Sequence, residues 1–105
     1  MPYQRPDQSN LYKLMSLSSE INLRHLSVRL GKEKLESYID RAADAGIVII
    51  KIIHGRSGGD MRKATHELLK RHPLVTDFEY PAAPSEGGPG VTIAKLVHTY
   101  KIKNY

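Results

Sequence analysis

The sequence contains no cysteine. This absence excludes a disulfide framework, a thiolate zinc site and a cysteine nucleophile. No apolar stretch is long enough to cross a bilayer, since the longest run, residues 47–53, is interrupted by Lys51. The amino-terminal region also lacks the apolar segment of a secretion signal. We therefore expect a soluble, cytoplasmic protein with no membrane partner.

Several familiar chemical motifs are missing as well. The segment "GRSGGDMRK" has neither the spacing nor the terminal Lys-Ser/Thr of a nucleotide-binding P-loop, and it lacks the glycine pattern of a dinucleotide site. The histidines show no metal-ligand spacing, so no metal site is predicted, and we expect His66 and His72 on the exposed side or end of a helix. Ser57 and His54 could form a nucleophile and its base, but their closeness within one turn fixes no mutual geometry.

Positive charge is concentrated in one part of the chain. The sequence has 16 lysines and arginines against 11 acidic residues, a formal net charge of +5. Such a charge favours polyanionic partners without identifying one. The positions of the charges say more, because one loop and the following helix contain Arg56, Arg62, Lys63, Lys70, Arg71 and His72. This clustering predicts a nucleic-acid partner.

The first half of the chain predicts a strand, a helix and a second strand. Residues 21–26, "INLRHL", alternate in polarity, which predicts a strand with Ile21, Leu23 and His25 on one face. Helical spacing follows from Ser27 to Gly46, where we expect a left-handed carboxyl-terminal cap. The nearly continuous apolar segment 47–55, "IVIIKIIHG", predicts a central strand.

The second half predicts one more helix and two more strands. The helix begins near Asp60, a good N-cap residue, and ends before Pro73. Residues 74–80 and 90–97 are both typical of strands. The connection between them, "PAAPSEGGPG", is rich in proline and glycine, and we expect no regular structure there.

These elements predict an α+β fold in the order β-α-β-α-β-β. Two helices are expected on one face of a four-stranded mixed sheet, with the last two strands joined as a hairpin with a long loop. A chain of 105 residues without an internal repeat has room for a single core. We place the domain at residues 20–98, after a flexible leader at 1–19 and before a tail at 99–105.

The junction between the central strand and the second helix is the strongest candidate for a functional site. A glycine-rich turn before a helix presents free backbone N–H groups and can hold a phosphate. The alternative is a tight turn with a helix capped by the Asp60 carboxylate, which would occupy the same groups. His54, at the end of the strand, could transfer a proton or bind phosphate, although a strand-end histidine alone is more often structural. Arg56 beside it favours phosphate, because arginine binds phosphate at two points.

The order of several segments resembles a known family. "IIHG" is followed by a glycine loop, then "RKATHELLKRHPLVTDFEY" and "EGGPGVTIAKL". Residues 21–96 together resemble an Smr (small MutS-related) domain, most closely the one at the carboxyl terminus of MutS-like proteins outside mismatch repair. The resemblance implies a two-layer fold similar to the carboxyl-terminal domain of a translation initiation factor. It also implies binding of DNA or RNA, which several members cleave as endonucleases.

The resemblance also suggests site residues, with three departures from the family pattern. Asn22 stands where the family has an acidic residue, His25 stands where it has a glycine, and Ser57 replaces the second glycine of the His-Gly-x-Gly motif. The implied catalytic residues are His54 for proton transfer or phosphate contact, Arg24 for stabilising charge on the phosphorane, and Asn22 at the acidic position. Glu86 is a further carboxylate that could lie near them. The implied nucleic-acid platform is Gly55, Arg56, Ser57, Gly58, Gly59, Arg62, Lys63 and Lys70.

Three kinds of function remain open at this stage. The chain is expected to be an endonuclease that nicks or cleaves DNA or structured RNA, or a module of the same fold that binds nucleic acid without cutting. The third kind is a structural or protein-interaction domain, associated with the ribosome or with a larger MutS-like chain, whose basic face is only solvated. No cofactor is required by the sequence, and the resemblance leaves a divalent metal open.

Overall fold

The computed structural model describes residues 18–97. The elements follow one another as β1 (Glu20–Asn22), α1 (Val28–Asp44), β2 (Ile49–Ile53), α2 (Asp60–Arg71), β3 (Val75–Glu79) and β4 (Val91–Leu96). The predicted order of strands and helices is therefore confirmed. The predicted tail lies outside the described residues, and so does the predicted leader except for its last two positions.

The sheet is mixed and has the strand order β1-β2-β4-β3. β1 pairs with β2 in parallel, and α1 forms the connection between them. β4 pairs antiparallel with both β2 and β3. The last two strands thus form the predicted hairpin, and β2 lies in the interior of the sheet as its apolar sequence indicates.

Alternation along β2 separates two faces of the sheet. Ile50 and Ile52 are fully buried in the core, whereas Lys51 and Ile53 are only half-buried and point to the other side. We call the first the helix-covered face and the second the open face. The core on the helix-covered face combines Ile21, Ile50, Ile52, Ala94 and Leu96 of the strands with Leu35, Ile39, Leu68 and Leu69 of the helices.

Local signals fix both ends of α1. The Ser27 hydroxyl accepts a hydrogen bond from the N–H of Leu30 at 3.2 Å, which satisfies one of the free amides of the first turn. At the other end Gly46 has φ of 88° and donates to the Ala43 carbonyl, while Ile47 donates to Ala42. This is the left-handed cap expected at Gly46.

The first strand is shorter than the sequence predicts. It ends at Asn22, because the chain then turns and the Asn22 side-chain oxygen accepts the N–H of Arg24 at 2.9 Å. His25 has φ of 70° and is exposed, so the prediction that it shares a face with Ile21 is wrong. Glycine adopts such a left-handed backbone without strain, which is consistent with the glycine at this position in the motif that the chain resembles.

Two expectations about loops are also corrected. Asp60 is not the N-cap of α2, because Gly59 occupies that position and no side chain caps the helix. The connection between β3 and β4 is not irregular throughout, since it forms two short 3-10 turns at Pro84–Glu86 and Gly88–Gly90. Pro84 and Pro89 stand at the first and second positions of these turns, where the backbone N–H would have no partner within the turn, so proline loses no hydrogen bond there.

The buried threonine of α2 gives a test of the packing. Thr65 is 1% exposed, and its hydroxyl has no hydrogen-bond partner within residues 18–97. Thr65→Val removes an unsatisfied polar group at nearly constant volume, so we expect the free energy of unfolding to rise by about 1 kcal/mol. Urea denaturation measures this change. Thr65→Ser is the matched control, since it keeps the hydroxyl, loses a methyl group and should be less stable than the wild type. A less stable valine variant would contradict the assignment.

Candidate nucleic-acid interface

His54 lies at the carboxyl end of β2 and points to the helix-covered side. It continues the alternation of Ile50 and Ile52 and is 5% exposed. Its Nδ1–H donates to the Gly55 carbonyl at 3.0 Å, and its Nε2 lies 2.9 Å from the Thr92 hydroxyl oxygen. Both ring nitrogens therefore have hydrogen-bond partners within the domain.

His66 of α2 belongs to the same cluster, so its predicted exposed position is wrong. Its Nε2 lies 2.8 Å from the Thr92 hydroxyl oxygen, and its ring is perpendicular to that of His54 with the centroids 5.9 Å apart. Phe78 stacks against His66 at 5.1 Å, and Tyr80 approaches it at 4.9 Å. The residue sits at the edge of the apolar stripe of α2, where helix period alone does not decide whether a side chain meets the sheet. The sequence did contain a signal for His66. It lies four residues from both Arg62 and Lys70, a spacing that places all three side chains on one face of the helix.

The surroundings of His54 and His66 favour the neutral form of both side chains. Burial lowers the pKa of His54, the nearby Arg62 lowers it further, and the hydrogen bond to the Gly55 carbonyl opposes the shift. Burial also lowers the pKa of His66, with additional lowering by His54, Arg62 and Lys70. The Arg62 guanidinium lies 5.8 Å from the ring centre of Tyr80, which donates its hydroxyl proton to the Pro89 carbonyl.

A cleft of about 430 Å³ opens beside the end of β2 on the open face. Arg24, Lys51 and Arg56 contribute positive side chains to its wall, and Glu86 contributes a carboxylate. Lys51 Nζ lies 3.0 Å from the Glu86 carboxylate. The structure therefore brings Glu86 to the site, as a partner of a lysine in the cleft.

Two glycines allow the arginines to lie against the backbone in this cleft. Gly55 has φ of 90°, and a side-chain carbon there would lie 3.2 Å from Cγ of Arg24. A side-chain carbon at Gly90 would lie 3.3 Å from Cγ of Arg56. The N–H groups of His54 and Gly55 both donate to the Gly90 carbonyl, at 3.1 and 3.0 Å. A side chain at either position would push the neighbouring arginine side chain aside by a few tenths of an ångström.

Asn22 holds Arg24 in place. Its side-chain oxygen accepts hydrogen bonds from the backbone N–H of Arg24 at 2.9 Å and from the guanidinium Nε at 3.2 Å. These contacts require only an acceptor, which an amide oxygen supplies as well as a carboxylate does. Asn22 therefore keeps the geometry of the turn and lacks the negative charge of the family residue.

The predicted site residues divide into two clusters on the two sides of the end of β2. Arg24 and Arg56 line the cleft on the open face, while His54 lies with Arg62 on the helix-covered side. The loop between them contains Ser57, Gly58 and Gly59, and the Arg62 guanidinium folds over Gly59. Arg24 and His54 are thus brought near the same loop but belong to different clusters.

Three residues of the basic cluster lie apart from this arrangement or at its margin. Lys63 and Lys70 are exposed on α2, and only Lys70 affects the electrostatics of the histidines. The His72 side chain is 6% exposed, with Nε2 3.4 Å from the Asp40 carboxylate and Nδ1 accepting the N–H of Leu74. The expectation of an exposed His72 is wrong, because α1 covers the end of α2.

Comparison with known proteins identifies the family. The Smr domain model matches residues 21–97. The chain belongs to the Smr domain family. This Smr domain is 44% identical over 77 residues to Endonuclease MutS2 of Thermomicrobium roseum, an alignment that covers 73% of this chain and 10% of the relative. It is 40% identical over 80 residues to Endonuclease MutS2 of Geobacillus thermodenitrificans, covering 76% of this chain and 10% of the relative. The chain thus spans about a tenth of the length of these relatives.

Solved structures share the fold of this Smr domain. The Smr domain of Thermus thermophilus MutS2 superposes with a TM-score of 0.71 at 33% identity, covering 74% of this chain and 96% of that one. YdaL, a stand-alone small MutS-related protein of Escherichia coli, gives a TM-score of 0.69 at 24% identity, covering 91% of this chain and 79% of that one. At the latter identity the likeness concerns the fold alone.

Two further features concern metals and membranes. Within residues 18–97 of the Smr domain, no three histidine, aspartate or glutamate side chains converge as ligands for a metal ion. Neither helix in that part is long and apolar enough to cross a membrane.

The lowered pKa values predict a pH dependence of stability. Below the ordinary histidine pKa of about 6.5, the unfolded chain takes up protons that folded His54 and His66 resist. The free energy of unfolding should therefore fall as the pH drops from about 7 towards the lowered folded values. His66→Gln should make this fall shallower in urea denaturation at a series of pH values. His25→Asn, at an exposed left-handed position that asparagine tolerates, is the control and should leave the slope unchanged. An unchanged slope in the glutamine variant would show that His66 does not titrate in this way.

Proposed function

We propose that this Smr domain binds nucleic acid through the open-face cleft and the adjoining glycine loop, and that it cleaves the bound backbone as an endonuclease. The observation that supports the proposal most is the pair of arginines, Arg24 and Arg56, lying against glycine backbone in an open cleft. Membership of the Smr family and similarity to MutS2 endonucleases support the same class of function. On this proposal the partner is DNA or RNA, met in the cytoplasm.

The charge balance of the cleft suits a phosphodiester. Glu86 pairs with Lys51, which leaves the two arginines of the cleft without a carboxylate partner among residues 18–97. Arg24 is bonded instead to the amide oxygen of Asn22, which fixes its direction without neutralising it. Guanidinium groups bind phosphate oxygens at two points, and an oriented guanidinium loses little freedom when it does so.

The loop and α2 extend this surface. Gly55, Ser57, Gly58 and Gly59 belong to a loop that ends at an uncapped helix start, where the helix dipole favours a phosphate. The N–H groups of Gly55 and Gly59 already donate to the carbonyls of Gly90 and Ser57, so the loop amides proposed to meet a phosphate are those of Ser57 and Gly58. Arg62, Lys63 and Lys70 continue along α2. We therefore propose that a strand of nucleic acid follows the cleft, passes the loop and continues along α2.

Cleavage is proposed to depend on His54 and Arg24. The lowered pKa keeps His54 neutral near pH 7, and a neutral imidazole can take part in proton transfer. Arg24, held by Asn22, would stabilise the negative charge that develops on the phosphorane. Both nitrogens of His54 are hydrogen-bonded, one to the Gly55 carbonyl and one to the Thr92 hydroxyl. On this proposal His54 exchanges protons through the Thr92 hydroxyl.

A binding module without cleavage is the second candidate. It is favoured by Asn22, which removes the family carboxylate, and by the burial of His54. In that case the same cleft contacts phosphates and no bond is broken. The chain spans about a tenth of the length of its MutS2 relatives. We therefore also propose the ribosome or a larger MutS-like chain as a partner of this domain in either case.

Binding is tested by substitutions in the cleft. Arg24→Ala and Arg56→Ala should each weaken binding to a short DNA duplex. Each should also reduce the steepness with which affinity falls as salt rises, by about 0.9 in the logarithmic slope for each lost phosphate contact. Fluorescence anisotropy over a salt series measures both quantities. Lys32→Ala, on an exposed part of α1 away from the cleft, is the control of equal charge and should leave the slope unchanged. No binding at low salt would exclude the proposed function and leave an interaction module.

Cleavage is tested at His54 and Asn22. His54→Ala should abolish nicking of supercoiled DNA or cleavage of structured RNA while leaving binding within about tenfold, because proton transfer typically contributes more than 100-fold. Asn22→Asp restores the family carboxylate and should raise the rate. Both are assayed with and without divalent metal, after circular dichroism has shown that the variants are folded. Equal cleavage by the alanine variant would remove His54 from the mechanism, and an unchanged rate at Asn22→Asp would show that the acidic position is dispensable.

A further inference from the structure

We infer that His66, rather than His54, is the histidine that contacts the nucleic-acid backbone, and that Thr92 and His54 are positioning residues that hold His66 with its Nδ1 lone pair facing outward. The identity of the ligand rests on the function proposed above. The protonation pattern of the cluster does not, and it is tested separately.

The hydrogen-bond directions follow from one carbonyl group. The Gly55 oxygen can only accept, so the proton of neutral His54 lies on Nδ1, and its Nε2 is an acceptor. The Thr92 hydroxyl must then donate its single proton to His54 Nε2. The same oxygen lies 2.8 Å from His66 Nε2, and with its proton already used it can only accept there. His66 therefore carries its proton on Nε2 and has a lone pair on Nδ1.

His66 is half-buried, in contrast to the buried His54. Within residues 18–97, Nδ1 of His66 makes no hydrogen bond, and Thr65 Oγ1 is the one buried side-chain polar atom there that lacks a partner. Nδ1 of His66 is therefore not sealed in the core. His54, by contrast, is 5% exposed and has both nitrogens bonded. His66 is therefore the imidazole of the pair that has a nitrogen left for a ligand.

The surroundings of His66 suit a phosphodiester. Arg62 and Lys70 lie one helical turn to either side of it on α2, and both act electrostatically on its ring. On the side of the sheet, Phe78 of β3 and Tyr80, which directly follows β3, pack against the ring. The Thr92 hydroxyl faces the ring from β4, and the His54 ring lies next to it. A phosphate placed between the two cations would contribute the negative charge that an imidazolium needs nearby. His66 would then accept a proton more readily when the backbone is bound than when it is absent.

Thr92 is the link on which the arrangement depends. Thr92 is fully buried on β4. Its hydroxyl forms hydrogen bonds with both imidazoles, that of His54 after β2 and that of His66 on α2. Without this hydroxyl, nothing in the contacts described fixes which nitrogen of His66 carries the proton. A role limited to packing would not require a hydroxyl at this position.

The protonation pattern is tested by nitrogen-15 NMR of the histidine rings near pH 7.5, without any ligand. We expect His54 in the Nδ1–H form and His66 in the Nε2–H form. Thr92→Val should turn the single form of His66 into a mixture, while Thr92→Ser, which keeps the hydroxyl, should preserve it. Finding His66 in the Nδ1–H form, or finding the same pattern in the valine variant, would overturn the inference whatever the protein binds.

Ligand contact is tested by titrating the rings with a short DNA duplex and with an RNA hairpin. We expect the pKa of His66 to rise by about one unit or more when either is bound, and that of His54 to change less. His66→Gln keeps a donor for Thr92 but no base, and it should lower cleavage at least tenfold with a changed pH profile while the His54 tautomer is retained. Binding that perturbs Arg24 and Arg56 but leaves the pKa of His66 unmoved would overturn this inference alone. Absence of binding would overturn the proposed function and the ligand contact together.

Discussion

The carbonyl oxygen of Gly90 accepts hydrogen bonds from two successive amides, those of His54 and Gly55, and this contact organises the candidate site. It joins the end of β2 to the loop that leads into β4. Because neighbouring side chains of a strand point to opposite faces, the same junction directs His54 towards the helices and opens the side of Gly55 to the cleft. The glycines at both ends of the contact let the two segments approach, and each leaves room for an arginine.

This geometry creates two different environments a few residues apart. On the open face, charged side chains meet solvent, and Asn22 and Glu86 orient or neutralise them. On the helix-covered face, burial lowers the pKa of two imidazoles and so favours their neutral form. The hydroxyl of Thr92 forms hydrogen bonds with both of them. An exposed cationic surface suits attraction of a polyanion, whereas a shielded neutral imidazole suits proton transfer near pH 7. The loop from Gly55 to Gly59 is where one environment passes into the other.

Much of the fold was predictable because its signals are local. The apolar run of β2, the serine that begins α1 and Gly46 after its end each act through neighbouring residues. The predictions were wrong where contacts between side chains, rather than the periodicity of polar and apolar residues, decide the local structure. The Asn22 amide ends β1 early by bonding to the next turn, and His25 adopts a left-handed conformation that alternation cannot indicate. His66 and His72 look like surface residues on a helical projection, yet β3 and α1 cover them.

The sequence by itself determined the order of strands and helices and the residues of the glycine loop, because these depend on composition and spacing along the chain. It also indicated the family, through motifs that resemble those of Smr domains. Only the tertiary structure decided that Arg24 and His54 lie in separate clusters, that Glu86 pairs with Lys51, and that Thr92 stands between two histidines. The physical reason is that a hydrogen bond between residues 38 positions apart, such as that of His54 with Thr92, is set by strand register and helix placement. Neither has a local signature in the chain.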